Sequence, residues 1–282
     1  MADQAPLFQH TGKMNLTMAI HGDAKSGKTW LAATFPRPVF ISAAPERGWT
    51  ALPAHPNWPN ITVLPCPLIP GQEQITGDPS APPPPDWALV KDDKRRLPIA
   101  DMEYIVLRRI REEYQQRNWR TVVIDTTTIY DEMVVSQLSD YGKIEMGGKG
   151  GGQWNVVKQH MLNMVNALQT LPLNIVWVFH SKYIKTGDIV LKVEPAAVGS
   201  HWEKVFAPTV RIIAYLKKEE TLDQATGEMQ TTRALLLKCP PNINPPVVAG
   251  GNFEHLFQGK DWCLKPHWDS LAQRLQGTFN VD

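Results

Sequence analysis

Gly22-Asp23-Ala24-Lys25-Ser26-Gly27-Lys28-Thr29 follows the apolar run MNLTMAI and precedes WLAATF. The octet fits G-x-x-x-x-G-K-[ST] in the strand, loop and helix setting that this pattern needs to wrap a phosphate chain. Glycines let the backbone approach an anion closely, successive N–H groups point at the α and β phosphates, and a helix opening near Lys28 adds the positive end of its dipole. Lys28 is then placed to reach the β and γ phosphates of ATP and Thr29 to hold Mg²⁺. Gly22, Asp23, Ala24, Lys25, Ser26, Gly27 and the following Trp30 complete the expected nucleotide contact. The bland alternative is an ordinary glycine-rich turn.

Around this loop, 282 residues with 43% hydrophobic and 20% charged content describe a globular protein able to bury a full core. One large domain with insertions fits that length better than two. A net charge of +1 carries no global signal for nucleic acid or membrane, so any basic surface is local. Cys66, Cys239 and Cys263 show no C-x-x-C spacing and read as free thiols of a reducing compartment. The start MADQAPLFQHTGK lacks the regions of a signal peptide, and no apolar run approaches the ~20 residues of a membrane span. The expectation is a cytoplasmic protein with no membrane partner.

Residues 14–20 read as a strand, 28–35 as a helix and 38–43 as a second strand, a βαβ start. From Pro45 to Pro98 proline is too frequent for a helix or a central strand, although ITVLP can form a short one. Residues 65–98 read as a proline-rich insertion, mobile or extended from Pro65 to Pro85. Helices are expected at 99–117, 128–140 and 154–170, with buried strands at TVVID and NIVWVFH (174–180). A glycine-rich loop, YGKIEMGGKGGGQ, separates the second helix from the third. A polar, basic loop from Ser181 to Trp202 leads into VRIIAYLKKEE and TTRALLLKC, a hairpin. The C-terminal extension, 240–282, is proline-rich with a short helix at 266–276. The fold class is α/β: a mainly parallel sheet flanked by helices, with a late antiparallel β-hairpin.

TVVID sets Asp125 at the carboxyl end of a buried strand, where ligands of open α/β sheets gather and a carboxylate can hold Mg²⁺. It reads as the Walker B acid, or else as a cap for the following helix beside Thr126, Thr127 and Thr128. Glu46, shortly after the second strand, is a candidate to polarise the attacking water, or an exposed turn glutamate. His180 ends VWVFH, where it can sense a γ phosphate or simply be solvated.

The order of these pieces, from P-loop through VFISAAPE, TVVID and VWVFHSK to the VRIIAYLKKEE and TTRALLLK hairpin, resembles the RecA-like core. In closer detail residues 14–245 resemble the RecA/Rad51-like nucleotide-binding proteins of phages, which are single-strand recombinases or annealing helpers. The resemblance implies a RecA-like P-loop ATPase with Lys28 and Thr29 on phosphate and Mg²⁺, Asp125 as Walker B acid and His180 as phosphate sensor. It further implies a homo-oligomer, filament or ring, in which Arg233 or Lys238 of the hairpin reaches a neighbour's γ phosphate. By order, its two DNA loops fall at 141–153 and 181–202. The first carries Lys143 and Lys149, the second Lys182, Tyr183, Lys185, Lys192, His201 and Trp202. Lysines interleaved with aromatics suit single-stranded DNA, whose bases stack while charge follows the backbone; solvated loops are the alternative. A single-strand-binding protein is a candidate partner. The competing readings are a small-molecule kinase and a nucleotide-switched binding module with little turnover.

Overall fold

Runs such as VFI (39–41), VVI (122–124) and IVWVF (175–179) are apolar at every position, and such runs find water-free surroundings only inside a sheet covered on both faces. In a computed structural model of the chain, which describes residues 13–90, 97–140, 151–222, 229–257 and 262–281, they form that sheet. Its strands are β1 (Thr17–Gly22), β2 (Pro38–Ala43), β3 (Thr62–Cys66), β4 (Ile75–Thr76), β5 (Thr121–Asp125), β6 (Asn174–Thr186), β7 (Ile189–Pro195), β8 (Ile212–Leu222), β9 (Met229–Leu236) and β10 (Trp262–Leu264). The order is β10-β9-β8-β1-β6-β5-β2-β3-β4, with β7 paired to the far half of β6. From β8 to β3 every neighbouring pair is parallel, while β4, β7, β9 and β10 join antiparallel. This is the α/β architecture expected from the sequence, hairpin included.

Alternate residues of each strand feed two cores. Ile175, Trp177 and Phe179 face one side with Val122 and Ile124, against α3 (Leu107–Glu113), α4 (Thr127–Asp140) and α5 (Gly151–Gln169). Val176 and Val178 face the other with Val123 and Phe40. There they meet α1 (Lys28–Ala32) and α6 (Trp268–Leu275). The short helix α2 (Pro98–Asp101) runs through a π-helical turn, Met102–Val106, into α3. No helix among the described residues is long and apolar enough to cross a membrane. None of the three cysteines forms a disulfide.

Several boundaries differ from the sequence reading. Expected over 28–35, α1 stops at Ala32, and single turns carry the chain to Phe35. Pro36 and Pro38 follow, and proline lacks the N–H a helix would need next. The supposed insertion begins inside β3, because Pro65 belongs to a strand paired on one side with β2. The Cys66 carbonyl faces β2, accepting from Ala44 N–H at 3.0 Å, so the Pro65 nitrogen points the opposite way, beyond the two residues of β4. Proline is tolerated there since no ladder bond is lost.

The rest of this stretch is fastened rather than loose. Leu68 N–H donates to Asp101 Oδ2 (2.9 Å), and Glu73 Oε1 accepts from Val90 N–H (3.0 Å). Arg109, fully buried, donates to Glu113 Oε1 (2.8 Å), the Glu73 carbonyl (3.1 Å) and Gln74 Oε1 (2.7 Å). Arg117 joins Glu113 Oε2 (2.9 Å) to the Pro82 carbonyl (2.8 Å). The C-terminal extension is likewise core: Trp268 packs on Phe35 with ring centroids 4.4 Å apart, and Leu271, Leu275 and Phe279 are buried beside it.

Arg109→Met takes from Glu113 one of its two arginine partners, Arg117 remaining, and leaves the Glu73 carbonyl and the Gln74 amide oxygen without their donor, a loss of about 1–3 kcal/mol. Denaturant unfolding should register it, together with faster limited proteolysis between residues 70 and 90. Wild-type cleavage kinetics in that segment would contradict the anchoring role.

Candidate active site

The carboxyl ends of the parallel strands converge on the glycine loop. Register pairs Gly22 at the end of β1 with His180 in β6, and Ser42 in β2 with Asp125 in β5. Lys28, buried, donates from Nζ to the carbonyls of Gly22 (2.9 Å) and Asp23 (2.7 Å), which holds the loop around its ammonium. Thr29 Oγ1 donates to Asp125 Oδ2 at 2.8 Å. Gly27 adopts φ +101°, and a Cβ there would meet the Arg233 guanidinium at 2.9 Å. The positive φ is what requires glycine, since the end of the flexible Arg233 side chain can shift aside.

Glu46 reaches the same place by a turn. Its N–H bonds the Ala43 carbonyl at 3.1 Å, folding Ala44 and Pro45 out so that the carboxylate returns over the strand ends. Glu46 Oε2 accepts from Thr126 Oγ1 (2.6 Å), and Oε1 lies 3.2 Å from His180 Nε2. A cavity of about 820 Å³ opens here, lined by Lys28, Thr29, Glu46, Thr126, His180 and Arg233 among others. Lys25, Ala24 and Trp30 border it too, while Asp23 turns its side chain toward Tyr183.

Burial, the largest influence, and the charge of Glu46 push the Asp125 carboxyl up to about 6, against the Thr29 hydrogen bond and the Lys28 charge. Burial also lowers the Lys28 ammonium, which Asp125, Glu46 and Asp23 counteract. For Glu46, burial works upward, but hydrogen bonds from His180 and Thr126 and the charges of His180 and Lys28 outweigh it and hold the carboxylate below its ordinary range.

The donor set fits a Mg·nucleotide. Asp125 Oδ1 and Ser26 Oγ are buried without a hydrogen-bond partner, and an orphaned carboxylate oxygen beside the Thr29 hydroxyl is what a hard cation recruits. Gly48 keeps that corner open, since a Cβ on it would lie 3.1 Å from Asp125 Oδ2 and 3.6 Å from Thr29 Oγ1. Among the described residues no cluster of three or more His, Cys, Asp or Glu could hold a metal alone. Magnesium typically takes one or two protein oxygens and completes its shell from phosphate and water.

Other sequence expectations fare differently. Residues 181–202 are largely not a loop: β6 runs on past His180 to Thr186 and turns at Gly187 (φ +58°) into β7. The signal was present in T-G-D between two alternating runs. Lys182 and Lys192 both pair with Glu194, at 2.9 and 2.5 Å, and are partly neutralised. Tyr183, 42% exposed, donates from its hydroxyl to Asp23 Oδ1 (2.7 Å). Lys185 is exposed on the hairpin. Trp202 cannot stack on a base: it is buried edge-on against Phe179, centroids 5.6 Å apart. His201 is buried on Asp131 (2.7 Å). Lys143 and Lys149 lie outside the described residues. Lys238 falls two residues beyond β9, which ends at Leu236, and is half-buried rather than on the strand. Arg233 touches its own chain's loop, donating from Nε to the Ser26 carbonyl at 3.0 Å. Gly48 and the Thr126 hydroxyl had no sequence signal as site residues.

A P-loop after β1 of a parallel sheet, with an acid at the end of β5, one strand removed across β6, defines a P-loop NTPase. The family model for the AAA domain matches residues 14–235, and the chain belongs to that family. Among solved structures, the crystal structure of a KaiC-like protein from the hyperthermophilic archaeon Pyrococcus horikoshii superposes with a TM-score of 0.40 at 11% identity, over 89% of each chain. No curated protein matches the chain.

Asp125→Asn tests the electrostatics without nucleotide. An acid whose folded pKa, about 6, exceeds its ordinary 3.8 binds more protons folded than unfolded, so its contribution to stability falls as pH rises from about 4 to 6 and stays low above. The amide should therefore raise stability by about 1–2 kcal/mol at pH 7.5 and leave it unchanged near pH 4. Urea unfolding at both pH values measures this; a less stable variant at pH 7.5 would refute the desolvation account.

Proposed function

We propose that the chain is a DNA-stimulated ATPase of recombinase type, which assembles on single-stranded DNA with Mg·ATP and lets go after hydrolysis to ADP and phosphate. What carries the hydrolytic part is the Glu46 carboxylate, held by Thr126 at 2.6 Å and His180 at 3.2 Å in the cavity that also contains Lys28 and Thr29. Lys28 binds the β and γ phosphates and offsets their charge. Glu46 orients water and accepts its proton as oxygen attacks the γ phosphorus and the bridging oxygen leaves with ADP. His180, across from Gly22, donates to the transferred phosphoryl group. Thr29 and Asp125 would hold Mg²⁺, which supplies charge neutralisation on the phosphates when bound.

The DNA half is supported by continuity of β6. The strand that ends its sheet pairing at His180 goes on as the exposed hairpin bearing Tyr183 and Lys185. An aromatic and a lysine there suit a single strand, and Lys143 and Lys149, outside the described residues, would add charge. Resemblance to phage recombinases supports the oligomer, a trans contact from Lys238 and residence in a host cytosol. A nucleotide-switched binding module is the second reading, favoured by the Tyr183 to Asp23 hydrogen bond, which ties the hairpin directly to the P-loop.

ATP turnover measured with and without a single-stranded oligonucleotide separates the two. Stimulation is expected, with Lys28→Ala inactive and Glu46→Gln slowed at least about 100-fold while still binding ATP. Binding without turnover would instead support the switch. Lys185→Glu should weaken oligonucleotide binding and lower its salt slope by about one; an unchanged slope would remove the hairpin from the DNA surface.

A further inference from the structure

A second cavity, of about 390 Å³, adjoins the phosphate site and shares Gly27, Trp30 and Arg233 with it. Its remaining wall comes from Leu31 and Leu216, from Thr231 and Thr232 of β9, and from the segment Leu264 to His267. That last segment lies beyond residues 14–235, the part matched by the AAA-domain family. The volume is in the ~300–1,000 Å³ range of small-molecule pockets, and the lining mixes apolar side chains with a few polar ones, as such pockets do.

The polarity of the phosphate site decides what can enter. Asp125, Glu46 and His180 stand at one end of the loop, so the γ phosphate must point toward them and the nucleoside must leave the other way. That way leads across Gly27 and Trp30 into the second cavity. There the wall is preformed. The Trp30 indole is 43% exposed, yet it is braced by the His55 ring at a centroid distance of 4.5 Å. His55 is itself fixed, accepting from Asn57 N–H at 3.0 Å, while the Asn57 amide donates to the Ala33 carbonyl at 2.7 Å. Opposite, Lys265 N–H bonds the Arg233 carbonyl at 3.2 Å, holding the 264–267 segment against β9. Leu264, on β10, is 74% exposed and lines the same cavity as Trp30.

We infer that this cavity is the nucleoside subsite, in which the base stacks on Trp30 and lies against Leu264 and Pro266 while Arg233 bridges the sugar and phosphate ends. The inference rests on the nucleotide reading of the P-loop. It assigns to the C-terminal segment a part in nucleotide selection in addition to its packing in the core.

Calorimetric titration with ATP and with inorganic tripolyphosphate, each with Mg²⁺, tests the two readings separately. Wild-type protein should bind ATP more tightly than tripolyphosphate, and ATP alone should alter Trp30 fluorescence, judged against Trp30→Phe. Trp30→Ala and Leu264→Asp should each weaken ATP at least about tenfold, the scale of a lost base stack, and change tripolyphosphate by less than about twofold. Leu264 is exposed, so its replacement leaves the fold intact and covers the case in which Trp30→Ala misfolds. ATP binding no tighter than tripolyphosphate, or variants that weaken both ligands equally or neither, would overturn the subsite while leaving the phosphate loop in place. Wild-type protein that binds neither ligand would overturn the nucleotide reading, and the subsite with it.

Discussion

A parallel sheet covered on both faces can keep charge only at the ends of its strands, and this constraint organises the molecule. Side chains along β1, β2, β5 and β6 alternate between two apolar cores and leave little place for a solvated group until the carboxyl edge. Gly22, Ser42, Asp125 and His180 all occur at that edge because the strands are in register there. The chemistry is concentrated because it has nowhere else to go.

Concentration has an energetic consequence. Asp125 is buried near Glu46 and is only partly compensated, by one hydroxyl and the Lys28 charge, so its carboxylate is held in an unfavourable ionisation state. Lys28 is desolvated at the same time and satisfied by two backbone carbonyls. Such strain in ionisation is tolerable because the sheet and its two cores fix the strand ends regardless. It also leaves unspent interaction for a Mg·nucleotide, which would relieve both groups together.

The fold was legible where local pattern and global burial agree. Continuous apolar runs, the P-loop spacing and the apolar hairpin strands each specify one structure at short range. Asp125 was legible for the same reason, as the first charge after a buried run. Glu46 was harder, since its place depends on the turn from Ala43, a distance that no strand periodicity measures. Trp202 was misjudged because an aromatic among lysines looks like a stacking platform in sequence, whereas contact with Phe179 across the helical layer decides its burial. Gly48 and the cis contact of Arg233 depend wholly on tertiary approach. The proline-rich stretch misled in the opposite direction: proline rules out central ladder bonds, but it does not rule out side-chain anchoring by Arg109 and Glu113.

The same constraint links the site to the surface hairpin. Helix α4 begins two residues after Asp125, and its first turns are bonded to both sides of the β6–β7 hairpin. Thr128 Oγ1 accepts from His180 N–H (3.0 Å) and donates to the Ala196 carbonyl (2.6 Å). Asp131, fully buried, accepts from Val198 N–H and approaches His201 Nδ1, both at 2.7 Å. Thr126, one turn away, holds Glu46. A hairpin displaced as a body would have to break these bonds inside a low-dielectric layer, where an unpaired polar group costs about 1–3 kcal/mol. Moving His180 and α4 with it avoids that cost. Glu46, His180 and the hairpin are thus tied together through α4 and the shared backbone of β6, and the Tyr183 hydroxyl adds a further bond from the hairpin to Asp23 of the glycine loop.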